Sequence, residues 1–214
     1  MGFVAGGESR LTGGDDVALN GTVSGLSGSD LHLVVALLIA DASTGVAITC
    51  NGVGLTYIDQ SPSANGRSLQ LWHLDAPTAG TLAASWTGSS LAWMGWQVFD
   101  DVADITLASF AEAGGVTGST TETLAVATAS GDDVADFLAA SHATATPTAG
   151  QTDAYTPGTQ NLITLYGSYA VADDTSYDMQ WTLSTSSEFF YHVGIALEPT
   201  GGGGGSVGFR PYYL

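Results

Sequence analysis

Carboxylates are the reactive groups this chain holds in quantity. The tetrapeptide Asp-Asp-Val-Ala occurs at 15–18, 100–103 and 132–135. The second and third copies run on to Asp104 and Asp136, and Asp173-Asp174 adds another pair. Clustered Asp oxygens on loops suit a hard cation, and on that reading Asp100, Asp101 and Asp104 are candidate Ca2+ ligands. Two carboxylates facing each other across a cleft would suit glycoside hydrolysis, but nothing in the spacing selects a pair. The copies fall where strands start or end. Charge there blunts exposed edges against unwanted pairing, and this solvated-edge reading carries more weight than calcium. The repeat is too short to establish a duplication.

Other reactive types are sparse. His32, His73, His142 and His192 are far apart in sequence. His32, His73 and His192 fall inside strand patterns, which favours packed or surface imidazoles over ligands. The single cysteine, Cys50, excludes an intramolecular disulfide and a cysteine-based zinc site. It lies in the apolar run 46–50 and reads as a buried structural thiol. No nucleophile elbow, zincin histidine pair, Walker loop or dinucleotide fingerprint occurs. The chain is therefore expected to be non-enzymatic, with no catalytic residue and no cofactor. Trp72, Trp86, Trp93 and Trp96 crowd one region. Exposed, they would stack on sugar rings; strand alternation also sends some of them into the core.

The elements that must carry these residues are strands. The helix formers Lys and Glu are almost missing, and no long stretch has a helical period. Residues 31–40 (LHLVVALLIA) are continuously apolar between Asp30 and Asp41, the pattern of a strand buried on both faces. Residues 68–74 alternate, with Leu69, Leu71 and His73 on one face and Gln70, Trp72 and Leu74 on the other. Residues 91–99 put Trp93 and Trp96 on opposite faces. Asn51-Gly52 is a hairpin signal before a strand at 54–58. Further strands are expected at 17–23, 81–86, 122–129, 134–141, 162–170, 178–184 and 189–198. Short strands at roughly 8–12-residue spacing predict a sandwich or barrel. Residues 110–121 and 141–160 read as long polar loops, where contacts tend to gather.

The ends differ from the middle. Residues 1–14 are a Gly-rich extension with little periodicity, and 15–199 are expected to be one sandwich. Residues 200–214 form a Gly-rich arm, in which five consecutive glycines lead into SVGFRPYYL. A spacer followed by an aromatic, Arg-bearing terminus reads as a docking arm, with Phe209, Arg210, Tyr212 and Tyr213 as its contact residues. The start of the chain lacks the basic and apolar regions of a signal peptide. The longest apolar run is too short for a bilayer, which takes ~20 residues. Synthesis in a host cytoplasm without a cleaved signal is expected, with no membrane insertion.

Charge narrows the partners. There is no lysine, and Arg10, Arg67 and Arg210 stand against 21 carboxylates, a net charge of −18. Only 11% of positions are charged, so the acid is spread over a surface otherwise built of small residues. Such a surface cannot neutralise phosphates and repels anionic membranes, so nucleic acid is excluded as a partner. It keeps the protein soluble at high concentration. Adaptation to a salty medium and a genome poor in Lys codons both account for it.

The segment 68–105 (SLQLWHLDAPTAGTLAASWTGSSLAWMGWQVFDDVADI) runs through an alternating strand, a Trp-x-Leu-x-x-Pro-like element, a Gly turn, a Thr/Ala/Ser strand and an aromatic strand. Later, Ser130-Gly131-Asp132 opens the strand 134–141, and Trp181-Thr182-Leu183-Ser184 precedes Val193-Gly194-Ile195-Ala196-Leu197-Glu198-Pro199. This order, over residues 15–199, resembles the jelly-roll β-sandwich modules of phage virion proteins and bacterial surface proteins. The resemblance implies a structural or adhesive role, with no catalytic residues to carry over. The chain departs from it in lacking a second large domain and in its Gly-rich arm.

The expected fold is thus all-β: a jelly-roll-like antiparallel β-sandwich with an N-terminal extension and a Gly-rich C-terminal arm. The expected function is a non-enzymatic component of the virion surface, foremost a capsid decoration (cement) protein. It would assemble as a homo-oligomer, a trimer for preference, on major capsid or tail proteins. A tail or tail-tip receptor-binding adhesin, or a carbohydrate-binding module for host glycans, is the alternative. If the acidity is salt adaptation, screening relieves Asp–Asp repulsion, and the melting midpoint should rise from low salt to seawater strength. A flat or falling midpoint in that series would leave codon usage as the cause.

Overall fold

The computed structural model describes residues 2–11, 17–88, 91–115, 119–141, 143–148, 150–157, 163–185 and 189–201. In chain order the strands are β1 (Gly2–Arg10), β2 (Ala18–Val23), β3 (His32–Ala40), β4 (Thr44–Cys50), β5 (Val53–Gly54), β6 (Thr56–Gln60), β7 (Arg67–Asp75), β8 (Gly80–Thr87) and β9 (Trp93–Asp100). They continue as β10 (Val102–Ile105), β11 (Ala111–Gly115), β12 (Thr121–Ala127), β13 (Asp133–Ser141), β14 (Ala145–Pro147), β15 (Thr152–Asp153), β16 (Ile163–Val171), β17 (Ser176–Leu183) and β18 (Phe190–Pro199). A 3-10 turn, Leu107–Ser109, joins β10 to β11. The protein is all-β and its ladders are antiparallel, as alternation and turn glycines lead one to expect.

The strands form four sheets. The first runs β1-β9-β3-β7-β6 and the second β2-β8-β4-β5. The third runs β18-β13-β16-β15, with β10 and then β11 along the outer edge of β18, and the fourth runs β12-β17-β14. The third repeats the strand order of the first, and the fourth repeats that of the second. Successive strands switch between paired sheets, which is jelly-roll topology, and it occurs twice. The single sandwich expected over 15–199 is therefore two, one built from 2–100 and one from 102–199. The repeated Asp-Asp-Val-Ala motif does not mark this duplication: one copy lies at the β9–β10 turn and another at the start of β13, positions that are not equivalent.

The two sandwiches stack face to face. Val34, Ala36 and Leu38 of β3, Leu69 and Leu71 of β7, and Phe99 of β9 share one cluster with Phe137, Leu165, Tyr191, Val193 and Ile195 of the third sheet. The opposite faces of β3 and β9 pack on the second sheet through Leu33, Val35, Leu37, Met94 and Trp96 against Ile48, Leu82 and Trp86. Third and fourth sheets enclose two smaller clusters, around Val126 and Met179 and around Leu138 and Trp181. The first and third sheets are thus covered on both faces, and this accounts for the continuous burial along β3, β13 and β18. A strand with one wet face would alternate.

The Gly-rich start is not a loose extension. Gly2–Arg10 is β1, an edge strand paired along the whole of β9. Small residues suit it because β1 lies on large rings: a Cβ on Gly7 would come within 2.5 Å of the Trp96 ring. Across the seam between sandwiches, Phe3 stacks on Tyr169 at 4.4 Å, and within its own sheet it meets Phe99 edge-on at 6.0 Å. The long loop 141–160 also reaches the seam. It carries β14, β15 and Tyr155, whose hydroxyl lies over Gly95 and whose ring lies over Gly167, so that a Cβ at either glycine would collide with it.

Leu37 is fully buried in the first sandwich, so Leu37→Ala should lower unfolding free energy by about 2–5 kcal/mol in denaturant melts. A loss well under 1 kcal/mol would mean the first sandwich is not packed as described.

Candidate functional site

Four placements bear on chemistry. The first is wholly internal. Asp136 comes from the middle of β13, Ser168 from β16, Trp181 from β17 and His192 from β18, and Asp136, Ser168, Trp181 and His192 have no exposed surface. Asp136 Oδ1 accepts from the Ser168 hydroxyl at 2.5 Å and from the Ser168 N–H at 3.2 Å. Asp136 Oδ2 accepts from Trp181 Nε1–H at 2.7 Å and meets His192 Nε2 at 2.8 Å. A carboxylate can only accept, so these donors satisfy both its oxygens and put a proton on His192 Nε2. The group forms a polar belt between the two apolar clusters of the second sandwich.

The matching place in the first sandwich is apolar. Asp136 pairs in register with Ser168 and Gly194, as Val35 pairs with Trp72 and Trp96. The same backbone is filled once with a hydrogen-bonded network and once with rings and methyls. The sequence pattern leaves His192 as a packed or a surface histidine and does not single out Asp136 as buried. The available signal was a lone carboxylate inside an otherwise apolar strand.

The second placement bridges the sandwiches. Gln97 of β9 donates its Nε2–H to the Asp136 carbonyl at 2.9 Å and to the Ser168 carbonyl at 3.1 Å. Tyr191 of β18 donates to the Ala64 carbonyl in the first sandwich. Burial, with Glu8 and Asp136 nearby, raises the Tyr155 hydroxyl well above its ordinary range, so it stays a neutral phenol.

The third lies at one end of the block, where β3, β10 and β13 begin and β7, β9 and β18 finish. Asp75 Oδ1 lies 3.1 Å from His32 Nδ1 and 3.4 Å from His73 Nδ1. Burial lowers the His32 pKa, partly offset by Asp75. Asp133 is 2% exposed, and its Oδ2 has no hydrogen-bond partner. Burial first, then Asp100 and Asp132, raises its pKa to about 6. Arg10 and Arg67 lie at the opposite end, beside Trp93 and Ala40 in their ladders. The block is therefore electrically polar along the strands.

The fourth concerns residues expected to bind ligands. Asp101 sits at φ +52 in the turn from β9 to β10, a conformation Asp tolerates better than most residues. Its Oδ1 accepts from the Ser29 hydroxyl at 2.8 Å. Asp104 Oδ1 accepts from the Ile105 N–H at 2.7 Å, and Asp100 packs against Gly28. These contacts brace the turn. Among the described residues no group of three or more His, Cys, Asp or Glu side chains could hold a metal.

The tryptophans proposed as sugar platforms are also reassigned: Trp72, Trp86, Trp93 and Trp96 are each buried. Both faces of the first sheet need large side chains, and these rings supply them. Cys50 is buried, as expected. His142 and the arm residues Phe209, Arg210, Tyr212 and Tyr213 lie outside the described residues. No helix among the described residues is long and apolar enough to cross a membrane. No family model, curated protein or solved structure matches this chain.

The Asp133 shift fixes a pH effect. Its folded pKa stands above its unfolded value of 3.8, so the native state holds the proton more tightly. That contribution is complete below the unfolded value and is lost as pH rises through about 6. Asp133→Asn should therefore stabilise the protein at neutral pH by about 1–2 kcal/mol, a figure discounted for screening at the block's end. The gain should vanish near pH 4. Melts at both pH values check this, and equal effects at the two would show that Asp133 does not titrate as described.

Proposed function

We propose that this protein is a non-enzymatic structural component of a phage virion surface, of the capsid decoration (cement) type. One observation carries the reading: the tightest carboxylate–imidazole pair among the described residues, Asp136 and His192 at 2.8 Å, is sealed inside the second sandwich. There they hold sheets together and meet no substrate. The outside is left to small polar residues and carboxylates, a surface suited to crowded, repelling copies on a particle. Two jelly rolls locked through a common core make a stiff block, the mechanical property that reinforcing a shell requires. The jelly-roll resemblance in the sequence points the same way.

Burial of the tryptophans removes the aromatic platform on which a glycan-binding alternative rested. The remaining exposed ring among the described residues that is more than a third accessible, Tyr57, is a single residue on edge strand β6.

Purified particles should carry this protein at a fixed, high copy number set by the shell's symmetry. Quantitative mass spectrometry of gradient-purified virions measures it. A protein absent from particles, or present at only the few copies of a tail tip, would overturn the decoration assignment.

A further inference from the structure

Beside the exit of the chain from β18 there is a groove of about 230 Å³ between the 3-10 turn, the β12–β13 turn and the end of β18. Ala108, Ala127 and Ala129 give it an apolar lining, and Asp132 and Glu198 supply two carboxylates. The carboxylates are held in place: Glu198 Oε1 accepts from the Thr106 hydroxyl at 2.9 Å, and Asp132 Oδ2 accepts from the Ala129 N–H at 2.7 Å. None of the residues lining the groove is cationic. Leu107, next to Ala108 in the same turn, is 57% exposed and adds an apolar lip at this end.

We propose that this groove is the receptor for the segment SVGFRPYYL at 206–214 of the same chain. Three features select that occupant. The groove asks for an apolar group beside a cation, and Phe209-Arg210 offers that pair at adjacent positions. Of the three cations in the chain, Arg10 and Arg67 belong to the far end of the block, so Arg210 is the one that can answer Asp132 and Glu198. Reach is sufficient as well. Glu198 already lines the groove, and the five glycines that follow have a root-mean-square span of about 12 Å, enough for the chain to turn back on itself. Such a tether places the segment at an effective concentration of about a millimolar, so a weak contact suffices. An Arg–carboxylate pair supplies direction, since a guanidinium fork donates to both oxygens of a fixed carboxylate. The inference does not depend on the virion assignment.

Hydrogen exchange on the full chain tests it. In wild type the amides of Val207, Gly208, Phe209, Tyr212 and Tyr213 should exchange about tenfold more slowly than in an open chain, and equally so across a wide dilution series. Ala108 is exposed, so Ala108→Trp fills the groove without entering the core. It should abolish the protection, as should Arg210→Gln, which removes the cation. Open-chain exchange in wild type would overturn the proposal. Protection that survives Ala108→Trp would place the segment elsewhere, and protection that falls on dilution would assign it to a second copy. Either result would also overturn the proposal.

Discussion

Everything in this molecule follows from burying one sheet of each jelly roll against the other. A sheet in an ordinary sandwich has one dry face and one wet one. Here the first and third sheets have none that is wet, because each is sandwiched between its own partner sheet and its counterpart. The consequence appears in β3, β9, β13 and β18, where alternation gives way to continuous burial. Large rings are then needed on both sides of the same strand, which is why β9 carries Trp93 toward one cluster and Trp96 toward the other.

Such a core has little room for polar groups, and those present are placed with care. Asp136 sits where burial is complete and receives a donor on every side, so removing any one partner would leave a buried carboxylate short of a bond. Gln97 uses the seam differently, reaching from one sandwich to two carbonyls of the other. That contact has direction, and hydrophobic burial alone has none. It fixes how the two sandwiches are set against each other. Asp133 is less well served, buried beside Asp100 and Asp132 with one oxygen unpartnered, and Gln97 Oε1 and His192 Nδ1 also lack a partner.

The charge layout follows from the topology. β7 and β9 end with Asp, and β13 begins with Asp, at the same end of the stack, so carboxylates distant in sequence are gathered there: Asp30, Asp75, Asp100, Asp101, Asp132 and Asp133. Arg10 and Arg67 are carried to the other end by the same alternation of direction. Net charge describes such a molecule poorly; polarity along the strands describes it better, and a chain terminus bearing Arg210 leaves from the acidic end.

The sequence by itself determined where the main strands run, because alternation, apolar runs and turn glycines act locally. The expected 31–40 became β3, 68–74 became β7 and 189–198 became β18. It also determined the doubly buried character of β3 and the burial of Cys50. It did not reveal that the chain folds twice. Equivalent places are filled by Val35 and Asp136, or by Trp72 and Ser168, and packing tolerates such exchanges while the backbone ladder stays the same. Nor did it reveal β1, whose glycines hide a strand by carrying no pattern, or the short strands and Tyr155 inside the loop 141–160. Only tertiary structure could decide which Asp is buried and which tryptophan is covered. Both depend on what lies across a sheet from a residue, and that neighbour is 71 residues away along the chain in the case of Gln97 and Ser168, beyond the reach of any local pattern.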